Sequence, residues 1–259
     1  MIVRKKLTGR LFLILSTLLL WMPALFAADG FTQRQKTEIQ TIIREYLVAN
    51  PEVLIEASQA LRQKQQQAAI VKAQQAINQY RSQLFKSPTS PVGGNPRGNV
   101  VMVEFFDYQC KYCKSIAPVV RDLQQQDKNL RVVYKQFPIF GPESEYAARA
   151  ALAAAKQGYF LAFHEALMQY NGRLTKKEVL QQAKKVGINI NKLQRDIASP
   201  QVAKELEENN SLAENLGLIG TPAFIVSKYP SRAGDESYFV PGVPKKELLQ
   251  SFIRSAREK

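Results

Sequence analysis

Histidine, tryptophan and cysteine are scarce in this chain of 259 residues, which has one His, one Trp and two Cys. A structural zinc site needs four ligands, mostly Cys and His, so this composition argues against zinc. Covalent haem attachment needs a His directly after the second cysteine of CxxC, and Lys114 occupies that position. We therefore predict no structural metal and no bound cofactor. Cu(I) held by the two thiolates remains open, because soft sulfur ligands suit it.

Acidic residues are also under-represented, with 22 Asp and Glu against 36 Lys and Arg, a formal net charge of +14. Nucleic-acid-binding proteins with such a balance usually concentrate their cations in one patch or stripe. Here the cations are spread along amphipathic segments, and no nucleic-acid-binding module is recognisable. We interpret the chain as a cationic exported protein and predict no nucleic-acid partner.

The opening stretch MIVRKKLTGR has four cations and no acid, and an apolar run follows over residues 11–27. This order predicts a secretory signal peptide over 1–27, with cleavage after Ala27. An uncleaved membrane anchor is the alternative. The apolar run is at the lower limit of length for spanning a bilayer and contains Pro23, so cleavage is favoured.

Glycine is missing from residues 31–86, whereas residues 87–98 contain three Pro and three Gly. This change in composition predicts a helical segment over 28–86, a linker over 87–98 and a second domain over 99–259. If the linker separates two independent parts, a chain lacking residues 28–90 should fold as a monomer that keeps the chemistry of the second domain.

The glycine-free segment has the pattern of two helices. Thr32 and Gln35 resemble a capping box, and the stretch NPE at 50–52 marks the start of a second helix. Apolar residues of the second helix recur at heptad-like spacing: Ile70, Ala73, Ile77, Tyr80 and Leu84. Two helices with one apolar stripe each cannot bury that surface alone, so we predict a homo-oligomer, a dimer being favoured over a trimer. The alternative is that these helices pack onto the downstream domain.

The two cysteines, Cys110 and Cys113, follow directly after the apolar run NVVMVEFF. The stretch SIAPVVRDLQQQ then predicts a helix, and LRVVYKQFPI predicts a second strand. A CxxC at the helix start of such a βαβ unit is typical of a thioredoxin-like redox site. A purely structural disulfide is the alternative, but so short a loop would stabilise the fold weakly.

The helix start explains which cysteine should react. Free N–H groups and the positive end of the helix dipole favour the thiolate of Cys110, and Lys111 and Lys114 add positive charge nearby. Cys110 is therefore predicted to be the attacking thiol. Cys113, one turn into the helix, is predicted to be the more covered, resolving thiol.

Three separated motifs, VEFFDYQCKYC, KQFPIF and GTPAF, resemble the DsbA-like branch of the thioredoxin superfamily over about 160 residues. The stretch REYLVANPEVLIEA is similar to the N-terminal oligomerisation region of the suppressor-of-copper-sensitivity C proteins. It also resembles that of dimeric DsbA-like outer-membrane antigens. The resemblance implies an α/β protein: a thioredoxin fold with a helical subdomain inserted at about 141–217, preceded by an all-α oligomerisation segment.

The resemblance also implies roles for individual residues. Cys110 matches the nucleophile and Cys113 the resolving thiol. Pro222 matches the cis-proline facing the active site, and Thr221 the residue whose backbone pairs with a substrate peptide. Between the cysteines the prototype has Pro-His, whereas this chain has Lys-Tyr.

Two charged residues complete the implied site. Glu104 matches the buried acid of this branch, and Lys135 is expected to be its partner on the next strand. A buried Glu with a raised pKa could exchange a proton with Cys113. A strand-edge ion pair is the alternative. His164 is expected to be a core histidine.

The function implied is that of a periplasmic thiol-disulfide oxidoreductase, an isomerase with oxidase capacity. Its expected partners are unfolded or misdisulfided exported proteins and a membrane thiol redox partner of the DsbB-like or DsbD-like kind. The periplasm is the expected location, with possible outer-membrane association. Two alternatives stay open: a monomeric DsbA-type oxidase, and a Cu(I)-binding or surface antigen protein that uses the same thiols.

Overall fold

A computed structural model describes residues 31–258, so the predicted signal peptide over 1–27 lies outside the described residues. The chain begins with helices α1 (Gln33–Ala49), α2 (Glu52–Gln79) and α3 (Arg81–Phe85). Strands β1 (Val92–Gly94) and β2 (Val100–Phe106), helix α4 (Lys111–Gln126) and strand β3 (Leu130–Gln136) follow. Five helices come next: α5 (Pro142–Ala155), α6 (Phe160–Gln169), α7 (Lys176–Lys185), α8 (Ile190–Ile197) and α9 (Pro200–Asn215). Strands β4 (Ala223–Lys228) and β5 (Ser237–Pro241) and helix α10 (Lys246–Glu258) complete the described chain.

The strands form one sheet in the order β1-β3-β2-β4-β5. Strands β2 and β3 are parallel and are joined by α4, so the βαβ unit expected around the cysteines is present. Strand β4 runs antiparallel to β2, and helices α5 to α9 lie between β3 and β4 along the chain. The predicted α/β architecture, with helices inserted into the sheet topology and an all-α segment before it, is confirmed.

The two faces of the sheet pack against different helices. Strand β2 is buried along its whole length, so its alternating side chains enter two apolar clusters. We call the side that holds Val100, Met102 and Phe106 the reactive face; α4 and α10 pack there. We call the side that holds Val101, Val103 and Phe105 the back face.

The boundary between the two predicted domains falls elsewhere than the sequence suggests. The chain consists of two compact units, and the boundary between them lies after Leu61, within α2. Strand β1, within the predicted linker over 87–98, pairs with β3 in the register Val92 to Val133. The prediction of a linker is wrong for this stretch, because its glycines serve close strand packing: a Cβ at Gly93 would lie 2.5 Å from the Gln124 side chain.

The apolar residues at heptad-like spacing in and after the second helix pack differently from the predicted oligomer contact. Ala73, Ile77 and Leu84 are fully buried, and the last two belong to the cluster on the back face. They cover the chain's own sheet, as the packing alternative foresaw, and are therefore not free to meet a second copy. Arg81 anchors this stretch, because its buried guanidinium donates hydrogen bonds to Ser231 and to the carbonyl of Asp235.

Residues 31–61, the described part of the first compact unit, leave most of their large apolar side chains exposed. The capping box of Thr32 and Gln35 is present at the start of α1, as predicted. Apolar side chains of α1 and the first half of α2 are exposed: Ile42, Ile43, Tyr46, Val48, Leu54, Ile55 and Leu61. Such a concentration of exposed apolar side chains is typical of an interaction surface. Among residues 31–258, no helix combines the length and hydropathy needed to cross a membrane.

Candidate active site

Cys110 is the N-cap of helix α4. Its extended backbone turns the chain from strand β2 into the helix, and its Sγ accepts a hydrogen bond from the Cys113 N–H at 3.3 Å. The Cys110 N–H in turn donates to the carbonyl of Asp107 at 3.2 Å. Both cysteines are free thiols, with Cys110 2% exposed and Cys113 0% exposed. The helix start therefore holds two neighbouring sulfurs, as the spacing predicts.

The surroundings move the pKa values of the two thiols in opposite directions. Hydrogen bonds to its sulfur, chiefly from the Cys113 thiol, lower the pKa of Cys110 to about 6. Burial raises the pKa of Cys113, and the neighbouring Cys110 raises it further. At neutral pH Cys110 is the ionised member of the pair and Cys113 the protonated one.

The two lysines beside the cysteines contribute less than expected from the sequence. Lys111 lies 5.1 Å above the ring of Tyr112, and Lys114 donates to the carbonyl of Tyr170 at 2.8 Å. Burial lowers the pKa of Lys114 itself. The thiolate is thus favoured mainly by hydrogen bonds at the helix start rather than by these two cations.

Thr221 and Pro222 come directly before strand β4, and Thr221 lies beside the Cys110 sulfur. The peptide bond between them is cis, and the Cys110 sulfur is 3.3 Å from the Thr221 carbonyl oxygen, to which it donates a hydrogen bond while it is protonated. The buried Thr221 hydroxyl has no hydrogen-bond partner of normal geometry among the residues that the structure describes, yet its proximity lowers the pKa of both thiols. The structure therefore brings together four of the residues predicted for the site: Cys110, Cys113, Thr221 and Pro222.

Glu104 lies in strand β2 on the reactive face. It is 1% exposed, and neither carboxyl oxygen has a hydrogen-bond partner among residues 31–258. Burial raises the pKa of Glu104 to about 8, so the carboxyl is largely neutral at pH 7. A buried acid with a pKa near neutral pH on the face that carries Cys113 can release its proton and then, as the carboxylate, accept one.

The prediction that Lys135 pairs with Glu104 is wrong. The strand register places Glu104 opposite Tyr134 and Lys135 opposite Phe105. Because residues directly opposite each other in a sheet point to the same side, Glu104 and Lys135 point to opposite faces. A count of positions along β3 could not reveal this, since an error of one residue reverses the face.

Lys135 instead belongs to a buried polar network on the back face. Its Nζ donates to the Ser90 hydroxyl at 2.7 Å, and Ser90 donates to Glu205 at 2.7 Å. Thr89 also donates to the Glu205 carboxylate. Burial lowers the pKa of Lys135, while the nearby Glu205 and Glu208 act in the opposite direction. We assign Lys135 to this network and not to the redox site.

His164 is a buried histidine of helix α6, as predicted. Its Nδ1 is 3.1 Å from the Tyr108 hydroxyl, and its ring contacts those of Phe106, Tyr134 and Phe160. Burial lowers the pKa of His164 to about 3, so the imidazole is neutral at physiological pH. Its role is to pack and to orient Tyr108, two residues before the first cysteine.

Sequence reasoning gave no role to two residues next to Cys110. The Asp107 carboxylate is buried and accepts four hydrogen bonds, two of them from backbone groups beyond strand β3. The Gln109 side chain exchanges two hydrogen bonds with the backbone of Leu174, each 3.2 Å long. Both lie in the stretch DYQCKYC. Apart from the bond between Asp107 and the Gln109 N–H, their partners are distant in sequence, so no local pattern could identify these contacts.

Exposed apolar side chains lie on the chain segments that build the site. Tyr112 stands between the cysteines, Ile139 and Phe140 follow strand β3, and Ile219 precedes Thr221. Large apolar side chains left in water beside a reactive thiol suit the binding of an unfolded polypeptide.

Residues 101–254 match the family described as the DSBA-like thioredoxin domain, and this match covers more than half of the chain. The chain belongs to the DsbA-like thioredoxin domain family. Residues 35–68, which include most of α1 and the first part of α2, match the copper resistance protein ScsC N-terminal domain. Membership of the DsbA-like family supports a thiol-disulfide oxidoreductase activity.

Solved structures agree with this assignment. A thioredoxin-like oxidoreductase from Silicibacter pomeroyi DSS-3 is 42% identical, with coverage of 69% of this chain and 98% of that chain and a TM-score of 0.64. BcfH from Salmonella enterica Typhimurium is 32% identical, with coverage of 86% of this chain and 96% of that chain and a TM-score of 0.69.

A curated relative is longer. The Na(+)/H(+) antiporter NhaA 1 of Salinispora arenicola (strain CNS-205) is 30% identical over 138 residues, which are 52% of this chain and 21% of the antiporter. The matching part of the chain therefore spans about a fifth to a quarter of the length of such relatives.

Proposed function

We propose that this protein is a periplasmic thiol-disulfide oxidoreductase that isomerises and forms disulfide bonds in exported proteins. The pair of thiols with opposite pKa shifts carries the proposal, because the pKa of Cys110 falls to about 6 while burial raises that of Cys113. One sulfur is ready to attack, and the other stays protonated until it is needed. The predicted signal peptide over 1–27 supports export.

The chemistry begins with the Cys110 thiolate. It attacks one sulfur of a substrate disulfide, a mixed disulfide forms, and the other substrate sulfur leaves as a thiolate. In isomerisation, a substrate thiolate later attacks the mixed disulfide and releases Cys110, so no electrons are transferred overall. In disulfide formation, the protein's own Cys110–Cys113 disulfide accepts two electrons from a substrate dithiol and becomes the dithiol.

The proton of Cys113 needs an acceptor when this thiol resolves the mixed disulfide. Glu104 is suited to the task, because a carboxyl with a pKa of about 8 exchanges protons readily near neutral pH. Thr221 and Pro222 would hold the substrate backbone beside Cys110, whose sulfur is 3.3 Å from the Thr221 carbonyl oxygen. A membrane thiol redox partner of the DsbB-like or DsbD-like kind would set the redox state of the pair.

The choice of isomerase over plain oxidase depends on oligomerisation. An isomerase benefits from paired active sites, because it must hold a misfolded chain while disulfides exchange. The exposed apolar residues of α1 and the first half of α2 support self-association, and two-fold symmetry favours a dimer over a trimer. The buried residues Ile77 and Leu84 do not contribute to this argument.

Refolding of scrambled ribonuclease tests the proposal directly. We expect the reduced mature protein to restore ribonuclease activity, Cys110→Ser to abolish the effect, and Cys113→Ser to accumulate mixed disulfides with substrate. Trapping by Cys110→Ser would instead reverse the assignment of the two thiols. A protein that is monomeric in sedimentation at micromolar concentration and inactive on scrambled ribonuclease, yet oxidises reduced substrates, would be an oxidase.

Cu(I) binding is the second candidate function, because two neighbouring free thiols are soft ligands and residues 35–68 match a copper resistance protein domain. Titration of the reduced protein with Cu(I), beside an insulin-reduction assay, separates the two. Tight binding of one Cu(I) per chain without insulin reduction would favour a carrier.

A further inference from the structure

The carboxylate of Asp107 connects three segments around the redox site. Its Oδ1 accepts hydrogen bonds from the Gln109 N–H at 2.7 Å and the Ser144 hydroxyl at 2.8 Å. Its Oδ2 accepts from the N–H groups of Ile139 at 2.8 Å and Phe140 at 3.2 Å. Asp107 is 2% exposed, so its carboxylate is shielded from water, and the bond from the Ser144 hydroxyl is fully buried. Removing one buried acceptor would leave several backbone donors without a partner.

The segment beyond strand β3 depends on this carboxylate for its position. Residues 137–141 lie outside the helices and strands, between β3 and α5. The backbone N–H groups of Ile139 and Phe140 both bind Asp107, while their side chains are exposed. We call these two side chains the apolar pair. One carboxylate therefore holds the apolar pair close to Gln109, the residue before Cys110.

The sulfur itself is held by other groups. The Asp107 carbonyl accepts the Cys110 N–H, the Cys113 N–H donates to the Cys110 sulfur, and the thiol of Cys110 faces the Thr221 carbonyl. None of these contacts uses the Asp107 side chain. Its carboxylate can consequently govern substrate docking while the chemistry of the thiol stays the same.

We infer that Asp107 is a positioning residue for substrate recognition. It fixes the apolar pair beside Cys110, and the apolar pair binds a large apolar side chain of an unfolded polypeptide. The inference rests on the proposed thiol-disulfide exchange activity and adds to it a residue and a class of substrate segment. It distinguishes two kinds of substrate, because a polypeptide contacts the apolar pair and a small dithiol does not.

The test uses the mature full-length chain with three readouts. These are KM and kcat for insulin in the reduction assay, the stopped-flow rate at which the oxidised protein reacts with dithiothreitol, and the pKa of Cys110 from its thiolate absorbance. For Asp107→Ala we expect KM to rise about tenfold, since losing one well-placed contact commonly has this effect. The dithiothreitol rate and the pKa of Cys110 should stay close to those of the wild type.

Two further variants make the result specific. Asp107→Asn keeps one oxygen for the N–H groups of Ile139 and Phe140, and its amide can donate to Ser144. It loses only the bond from the Gln109 N–H, so KM should return to within about threefold of the wild type. Asp127→Ala is the matched control, because that carboxylate accepts from the Asn129 N–H at 3.0 Å and Arg257 at 2.6 Å at the other end of α4. Its KM should not change.

The exposed Phe140 keeps the test valid even if Asp107→Ala folds poorly. Phe140→Ala should raise KM by a similar factor, and the double variant with Asp107→Ala should be little worse than either single one, because both act through the same contact. An unchanged KM in Phe140→Ala, or equal loss of the insulin and dithiothreitol reactions in a folded Asp107→Ala, would overturn the inference. Failure of the wild type and Asp127→Ala to react with either substrate would overturn the proposed function instead.

Discussion

Both faces of the sheet carry a buried ionisable residue at nearly the same level of the neighbouring strands β2 and β3. On the reactive face, neither oxygen of Glu104 has a hydrogen-bond partner within the described part of the chain. On the back face, Lys135 donates to Ser90, which in turn binds Glu205. The two residues have similar burial, 1% and 3% exposed, but opposite surroundings.

This contrast separates groups that stabilise the fold from groups that serve the chemistry. A buried polar group with a full set of partners fixes the packing around it, and its loss leaves those partners unpaired. A buried acid without partners costs stability and persists where its perturbed pKa is useful. We therefore expect disruption of the back face to damage the fold, and changes on the reactive face to alter reactivity and pH dependence.

The largest expected effect comes from uncovering the back face. A chain that begins at residue 91 lacks Ile77, Leu84 and Phe85, whose burial is worth about 1.5–3 kcal/mol each. That loss is comparable with the roughly 5–15 kcal/mol by which a whole domain is stable. We expect this chain to aggregate or to lack a cooperative thermal transition in circular dichroism.

A chain that begins at residue 62 is the matched control, because it keeps the second compact unit intact. It should unfold cooperatively and reduce insulin but be monomeric in sedimentation, with most isomerase activity lost. Cooperative melting of the chain that begins at residue 91 would show that residues 73–85 are dispensable, as the composition of residues 87–98 suggested.

These chains also show what the sequence can and cannot predict. The strand, the CxxC and the helix start are local patterns, so the two reactive thiols are predictable from residues 99–136, whereas Thr221 and Pro222 are assigned only through the family resemblance. Apolar periodicity around Ile77 predicts that this helix face is buried, but it does not predict which surface buries it. Here the chain's own sheet covers it. The faces of Glu104 and Lys135 depend on strand register, and three of the four partners of Asp107 depend on tertiary structure.

The next largest effect is expected at Glu104. Its pKa is about 8 in the folded protein against an ordinary value of 4.5, so unfolding releases a proton between these pH values and stability falls as the pH rises through them. Glu104→Gln removes this penalty. The variant should match the wild type below about pH 4.5 and then gain about 1.4 kcal/mol per pH unit, up to about 3 kcal/mol at pH 7.

Urea unfolding of reduced Glu104→Gln and wild type at pH 4.5, 6 and 7 checks this prediction. The same variant should resolve mixed disulfides more slowly, because Cys113 loses its proton acceptor. Equal stability of the two proteins at pH 7 would mean that Glu104 has a partner that neutralises the cost of burial.

Lys135→Met should lower the stability of the fold, whereas Glu104→Gln should raise it. Methionine fills a similar volume but removes the donor to Ser90 and leaves the Glu205 carboxylate without its nearest buried cation. We expect a loss of about 2 kcal/mol in the free energy of unfolding, since breaking a buried polar network leaves uncompensated groups. The reduction potential should not change, and a shifted potential would return Lys135 to the redox site.

Thr221→Val, at the edge of the reactive face, should give the smallest effect, a shift of the reduction potential. Valine keeps the shape of the side chain but removes the hydroxyl, whose proximity lowers the pKa of both thiols. Without it the thiolate of the reduced form is less favoured, so the reduction potential should become more negative. A hydrogen-bonding group near a thiolate is worth on the order of 1 kcal/mol, which corresponds to a few tens of mV.

Redox equilibration with glutathione measures the shift, and Thr41→Val on the exposed surface of α1 serves as the control. A potential that equals that of the control, with unchanged thermal stability, would remove the Thr221 hydroxyl from the list of groups that tune the sulfur pair.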